Sequence, residues 1–246
     1  MFNLGNNSPF GGQRNNRFGS SKYQYQTMAP NMAGAQASGL VSKVMALLAT
    51  SFLVATVGAF IGMNILGLGG YFVVIIAGFI TLLILYAVIN VQGWNLFLLF
   101  LFIFLEGLGL GPLVGAYLGT GNGYILGEAF LITAITAFSL AIYSWTTKRN
   151  FARLGDYLFV GMILLLVTSI IGIFFQSAVF SLIIAFFGVA IFCGYILYYV
   201  QRAKYMADTL PNAIGLTVSL FLTLMNLFLY ILEILTIFQG GGGRRR

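Results

Sequence analysis

Seven long apolar runs dominate this sequence and restrict what it can fold into. Each run is rich in Leu, Ile, Val and Phe, and a helix of about 20 such residues crosses roughly 30 Å of hydrocarbon. The runs occupy residues 41–65, 70–91, 94–118, 124–146, 156–175, 177–200 and 212–238. They lack the alternation typical of a barrel strand, and in lipid the backbone polar groups must be satisfied within each segment. The sequence therefore predicts an all-α polytopic membrane protein with seven transmembrane helices.

Composition divides the chain into three parts. Residues 1–39 are rich in Asn, Gly, Ser and Gln and predict a disordered tail, residues 40–239 form the membrane domain, and residues 240–246 are a Gly/Arg tail. Only 7% of the chain is charged, against about 25% in a soluble domain. The first apolar run begins too late for a cleaved signal peptide, so we expect the first helix to be retained, with an organelle presequence as the alternative.

The basic residues between the runs predict an orientation. If seven helices alternate, one side of the membrane carries the amino-terminal tail and the two connections that contain Lys148, Arg149, Arg153, Arg202 and Lys204. The opposite connections have no Lys or Arg, which puts the amino terminus in the cytosol or a matrix. A bacterial inner (plasma) membrane fits best, and an organelle inner membrane is the alternative. The arginines at 244–246 oppose this rule. Three explanations are open: the last helix is re-entrant, the tail is an appended sequence, or the earlier charges outweigh the terminal arginines. We favour the third, with seven complete crossings.

Several classes of enzyme lack the residues that they need. The chain has no His, one Cys (Cys193) and no pair of Asp inside the runs, which removes His-dependent nucleophiles, thiolate clusters and an aspartyl dyad. The segment Gly107 to Gly111 lacks the Lys-Ser/Thr of a phosphate loop. We expect no enzyme, cofactor or metal site. Most of the net charge of +7 reflects ordinary topology signals, so the expected partner is the lipid bilayer and not nucleic acid.

Small residues and one proline characterise the first and third runs. Gly58 with Gly62, and Gly107 with Gly111, have the spacing that lets two helices approach closely. Pro112 lacks an amide hydrogen and clashes with the preceding turn. We therefore predict a helix break at Gly111 and Pro112, with a kink or local unwinding near residue 108.

Glu106 is an acid within an unbroken apolar run. It falls near the middle of the third run, where a charged carboxylate costs roughly 2.5 to 3.5 kcal/mol. No Lys or Arg lies at a comparable depth, so we expect a largely protonated side chain at neutral pH. Two interpretations remain open: a neutral hydrogen bond between helices, or a residue of a proton or cation pathway.

Four motifs resemble the Bax inhibitor-1 (transmembrane Bax inhibitor motif) family. The first is Glu-Gly-Leu-Gly-Leu-Gly-Pro, and the second contains Tyr-Ser-Trp-Thr-Thr-Lys-Arg-Asn-Phe; the third is Leu-Tyr-Tyr-Val-Gln-Arg, and the fourth is Leu-Phe-Leu-Thr-Leu-Met-Asn-Leu-Phe. They lie at residues 106–112, 133–151, 197–202 and 220–228. The resemblance covers about residues 40 to 238 and implies a bacterial-type member with six helices around a central, final helix. It also implies a pH-sensitive calcium leak.

The residues of the family's switch are changed in this chain. In the family, two aspartates in the sixth and seventh helices are thought to form a latch that senses pH and calcium; here those positions carry Tyr199 and Thr223. Neither holds a charge near neutral pH, so the latch mechanism does not transfer. One hypothesis is a contact regulator or subunit of other membrane proteins, such as the membrane proteases that bacterial relatives are thought to modulate. The alternative is a calcium, cation or proton leak with Glu106 in its pathway. A hydrogen bond between Tyr199 and Thr223 would favour the first.

Overall fold

Seven α-helices make up the fold. The computed structural model describes residues 33–66, 68–175 and 177–240. Its helices are α1 (Ala33–Ile65), α2 (Leu68–Ala87), α3 (Trp94–Gly119), α4 (Gly123–Thr146), α5 (Leu154–Phe175), α6 (Ala178–Ala203) and α7 (Leu210–Gly240). Each is long and apolar enough to cross a membrane. The prediction of an all-α polytopic membrane protein is confirmed.

The outer surface of the bundle is apolar. Large side chains such as Phe60, Phe79, Phe138 and Phe174 are exposed, the last to 82%. A water-soluble protein of this size does not expose a continuous apolar belt, whereas a surface that faces lipid must. Two connections between helices contain a glycine at positive φ, a conformation that favours glycine. These are Gly93 (85°) between α2 and α3, and Gly121 (75°) between α3 and α4.

Helix α7 lies at the centre of the bundle. It packs mainly against α6, α1, α4 and α3, and its buried residues include Ala213, Ile214, Val218 and Phe221. Helices α2 and α5 lie further out, with their main contacts on α3 and α6 respectively. The final helix is central, as the resemblance implied, but it has four main neighbours rather than a ring of six.

Helices α1 and α3 meet backbone to backbone. A Cβ built on Gly107 would lie 2.7 Å from the Cα of Ala55, and one on Gly111 would overlap the backbone of Gly62. Gly58 likewise faces the Phe104 carbonyl of α3. The close approach predicted from the glycine spacing is confirmed, and it fixes α3 against α1 with no room for a side chain between them.

The predicted unwinding of α3 at Gly111 and Pro112 is wrong. Helix α3 is continuous from Trp94 to Gly119 with Pro112 inside it. Pro112 cannot donate to the Leu108 carbonyl, but that oxygen faces Gly62 of α1, where a Cα–H group gives it a weak partner. The freed carbonyl is therefore covered by the neighbouring helix, and α3 need not open to satisfy it.

The two ends of the membrane domain differ in detail from the sequence expectations. Helix α1 begins at Ala33, before the predicted boundary at residue 40, while the rest of the predicted tail, 1–32, lies outside the described residues. Helix α7 has 31 residues, about 46 Å of helix, and is unbroken, so it is not re-entrant. The Gly/Arg segment after Gly240 also lies outside the described residues.

Candidate functional site

Glu106 lies near the middle of the length of α3, on the side that faces α2. Its Oε1 atom is 3.6 Å from where a Cβ on Gly78 would stand, and Gly78 is buried in α2. The side chain of Glu106 is only partly buried. Within the described part of the chain, Glu106 has no ion pair or hydrogen bond. It lines neither the cavity between α3, α6 and α7 nor the groove between α1 and α4. Its neighbour is therefore helix α2.

Tyr199 and Thr223 come to the same level of the bundle. Helices α6 and α7 are antiparallel, and the rings of Phe192 and Tyr230 lie 5.8 Å apart, which places Tyr199 opposite the turn Ser219–Thr223. Thr223 is 3% exposed, and its hydroxyl donates to the Ser219 carbonyl at 2.7 Å. Its proton is thus used within α7, and a hydrogen bond from Tyr199 to Thr223 stays a prediction.

The ring of Tyr199 belongs to an aromatic stack. It is nearly parallel to Tyr195, with centroids 5.6 Å apart, and it meets Tyr198 edge-on at 5.3 Å. It also packs against a buried apolar cluster at this end of α1, α6 and α7, which includes Leu40, Leu216 and Leu220. At the level of Tyr199 and Thr223, this chain has packed apolar and aromatic groups.

Gln201 joins two of the motifs that carry the family resemblance. Its side-chain amide donates to the Arg149 carbonyl and accepts from the Phe151 backbone N–H. The amide group bonds to one backbone carbonyl and one backbone N–H, as a neighbouring strand would. Gln201 is 6% exposed, so water does not compete for these two bonds. This pair of bonds fixes the α4–α5 connection to the end of α6.

A second set of hydrogen bonds ties α6 to the end of α4. Ser144 is fully buried and donates to the Leu197 carbonyl at 2.7 Å. The Lys204 Nζ donates to the carbonyls of Ser144 and Trp145, where α4 ends, and lies 5.3 Å from the Trp145 ring centroid. A cation at a helix C-terminus is stabilised by the helix dipole. Partial burial lowers the pKa of Lys204 from its ordinary value because the charged form loses hydration.

An ion pair connects the start of α1 to the α6–α7 connection. Lys43 Nζ lies 2.9 Å from Asp208 Oδ1, and the Asp208 carboxylate fills the space beside Gly39. The two side chains are 50% and 24% exposed, so the pair adds at most about 1 kcal/mol. Together with the contacts of Gln201 and Lys204, it shows that the basic connections gather at one end of the bundle, as the charge pattern predicted.

Sequence reasoning missed this polar set. The signal was present, since Gln201 and Ser144 both lie inside quoted motifs, but nothing in one sequence pairs positions about 50 residues apart. Chemically the set is a group of hydrogen bonds to backbone atoms. Among the described residues no three His, Cys, Asp or Glu side chains come together as a metal site would require.

One family model and several known proteins match most or about half of this chain. The family model described as "Inhibitor of apoptosis-promoting Bax1" matches residues 37–240. An uncharacterized protein of Campylobacter jejuni is 33% identical over 221 residues, which cover 85% of this chain and 93% of that protein. Mouse Protein lifeguard 4 is 31% identical over 141 residues, 57% of each chain. The Golgi anti-apoptotic protein of Vaccinia virus (strain Lister) is 30% identical over 143 residues, 58% of each chain.

Proposed function

Since the chain belongs to the family described as Inhibitor of apoptosis-promoting Bax1, we propose that it acts by contact, as a regulator or subunit of other integral membrane proteins. The names of two relatives refer to anti-apoptotic action and to a lifeguard protein, neither of which names a reaction. We expect no catalytic activity. Matches in Campylobacter, Helicobacter and Vibrio support an inner membrane location, with the basic end of the bundle in the cytosol.

One observation carries this proposal: the former switch is packed. Thr223 is buried with its proton used in α7, and Tyr199 is stacked on Tyr195 next to the cluster of Leu216 and Leu220. To open an ion path at this level, the packed apolar and aromatic groups would have to separate. These groups do not gain or lose charge near neutral pH, so a change in pH does not push them apart. An aspartate pair, by contrast, changes its charge and repulsion with pH. A protein without that switch is better suited to binding than to gated conduction.

A lateral groove offers a place for a partner helix. It measures about 260 Å³ and lies where α1 and α4 face each other at the basic end, with walls that include Met45, Ala141, Ile142 and Trp145. It is too small for a whole helix, whose diameter is about 10 Å. It has room for apolar side chains from one face of a partner's transmembrane helix, such as that of a membrane protease.

Two alanines of α4 provide a matched test of this surface. Ala141 lines the groove, while Ala134 lies two turns away along the same face of α4, where it is exposed and outside the groove. Affinity purification from native membranes in mild detergent should recover a stoichiometric membrane-protein partner with the parent chain and with Ala134→Phe. Ala141→Phe fills the groove and should lose most of that partner. Recovery of a lone monomer from the parent, or equal recovery by both variants, would refute the proposal.

A cation or proton leak is the second candidate, and the position of Glu106 favours it. Its carboxyl group is partly exposed and has no hydrogen bond in the described structure, so it is free to take up a proton or a cation. In liposomes loaded with a calcium dye or a pH dye, a leak along this route should change with Glu106→Gln. A signal that Glu106→Gln leaves unaltered would exclude the route.

A further inference from the structure

A cavity at the end of the bundle opposite the basic connections has the lining of a ligand site. It measures about 600 Å³ and lies between α3, α6 and α7. Small-molecule sites in proteins usually have about 300 to 1,000 Å³. One face of α7 forms a wall from Leu229 to Ile237, which gives the cavity a depth of about 12 Å along that helix.

The polar groups of the cavity carry one formal charge, on Glu233. Ser177, which immediately precedes α6, and Ser181 of α6 line the same space, and Tyr117 with Thr236 closes one side through a 2.6 Å hydrogen bond. Glu233 has no ion pair or hydrogen bond among the described residues. The first turn of α6 also borders the cavity.

No cation from the described part of the bundle reaches this end. All Lys and Arg of residues 40–240 lie at the basic end, from Lys43 to Lys204. The second acid of this end, Glu128, is satisfied differently, because its Oε2 accepts from the Gln239 amide at 2.9 Å. Glu233 is therefore the acid of this end that is left without a partner, and it stands in a cavity.

We propose that this cavity binds an organic cation that carries N–H donors on an apolar stem. The ammonium or guanidinium group would donate to the Glu233 carboxylate and to the serine hydroxyls, and the stem would pack on Leu113, Leu229 and Leu232. A bare metal ion fits poorly, because one carboxylate and a few hydroxyls do not supply six oxygen ligands and most of the wall is apolar.

This chemistry has two sources. One is a free alkylamine from the medium on this side of the membrane. The other is the chain's own arginines at 244–246, since four residues beyond Gly240 span up to about 14 Å and Glu233 lies about 10 Å below Gly240 along α7. Either source would bring a cationic N–H group to the same carboxylate.

The test is a titration of the full chain in lipid nanodiscs with n-butylammonium, with n-butanol as the neutral probe of the same shape. We expect n-butylammonium to bind at one site and n-butanol not to bind. Glu233→Gln should weaken binding by roughly tenfold or more, because a charged hydrogen bond is lost. Glu128→Gln is the matched control at the same end and should bind within about twofold of the parent.

A triple change of Arg244, Arg245 and Arg246 to Gln separates the sources. A gain of several-fold in n-butylammonium affinity assigns the cavity to the tail, and unchanged affinity assigns it to a free amine; both support the site. The proposal is overturned by binding to neither the parent nor the triple variant, by equal binding to Glu233→Gln, or by equal binding of n-butanol. Displacement by K⁺ or Ca²⁺ with matching affinity would identify an inorganic cation site and also overturn it. Unchanged melting temperatures confirm that each variant is folded.

Discussion

Replacement of Gly107 by Ala tests how tightly α1 and α3 are joined. The new Cβ would lie 2.7 Å from both the Cα and the carbonyl carbon of Ala55, where unstrained carbon atoms stand about 3.5 to 4.0 Å apart. Both contacts are with backbone, so no side chain can turn aside, and the helices must separate by about 1 Å. Overpacking of this kind costs about 1 to 3 kcal/mol. In a chain of this length that corresponds to a fall of about 4 to 8 °C in Tm for 2 kcal/mol.

Gly109 and Gly119 of the same helix are the controls. A Cβ on Gly109 would meet only Val74 at 3.8 Å, and one on Gly119 would meet nothing within 4 Å. Ala at either position should leave Tm unchanged or raise it slightly, because Ala favours helix by about 0.5 to 1 kcal/mol over Gly. The assay is thermal unfolding of each variant in one detergent, followed by intrinsic fluorescence. If Gly107→Ala melts with the control variants, the inferred backbone contact between α1 and α3 is incorrect.

Three further predictions concern the basic end. Gln201→Leu removes two protected hydrogen bonds and should lower the free energy of unfolding by about 2 kcal/mol. Trypsin should then cut the connection at 147–153 faster than in the parent chain. An unchanged cleavage rate would contradict this prediction. Lys204→Met keeps the length of the side chain but leaves the last carbonyls of α4 without their cation. We expect the free energy of unfolding to fall by about 0.5 to 1 kcal/mol, measured by thermal unfolding at low salt. An unchanged free energy would argue against a capping role for Lys204. A double-mutant cycle of Lys43→Met with Asp208→Asn should give a coupling below about 1 kcal/mol that shrinks with salt, whereas a coupling of about 2 kcal/mol or more would mean a pair more buried than described.

The sequence was sufficient for the helices because the bilayer imposes their length. Each predicted run corresponds to one observed helix, and the ends differ by a few residues, except where α1 extends back to Ala33. The paired glycines of α1 and α3 were also readable, since four-residue spacing puts small residues on one helix face. The unwinding predicted at Pro112 failed for a tertiary reason: Gly62 of another helix covers the carbonyl that proline leaves free.

The candidate sites were less accessible to sequence reasoning. The depth of Glu106 followed from its position in the run, but its partner helix, α2, depended on packing that no periodicity specifies. Glu233 was readable only as an acid near the end of the last helix. The cavity in front of it is lined by residues of α3, α6 and α7, which only the assembled bundle brings together. Gln201 was similarly hidden, because its partners lie about 50 residues away in the chain.

Calcium flux in reconstituted liposomes tests the central claim most directly: the packed residues at Tyr199 and Thr223 hold the bundle closed. The parent chain should release no more calcium than empty liposomes at acidic or neutral pH, and the double variant Tyr199→Asp with Thr223→Asp should introduce a flux that depends on pH. A parent chain that conducts calcium and is silenced by Glu106→Gln would contradict the account.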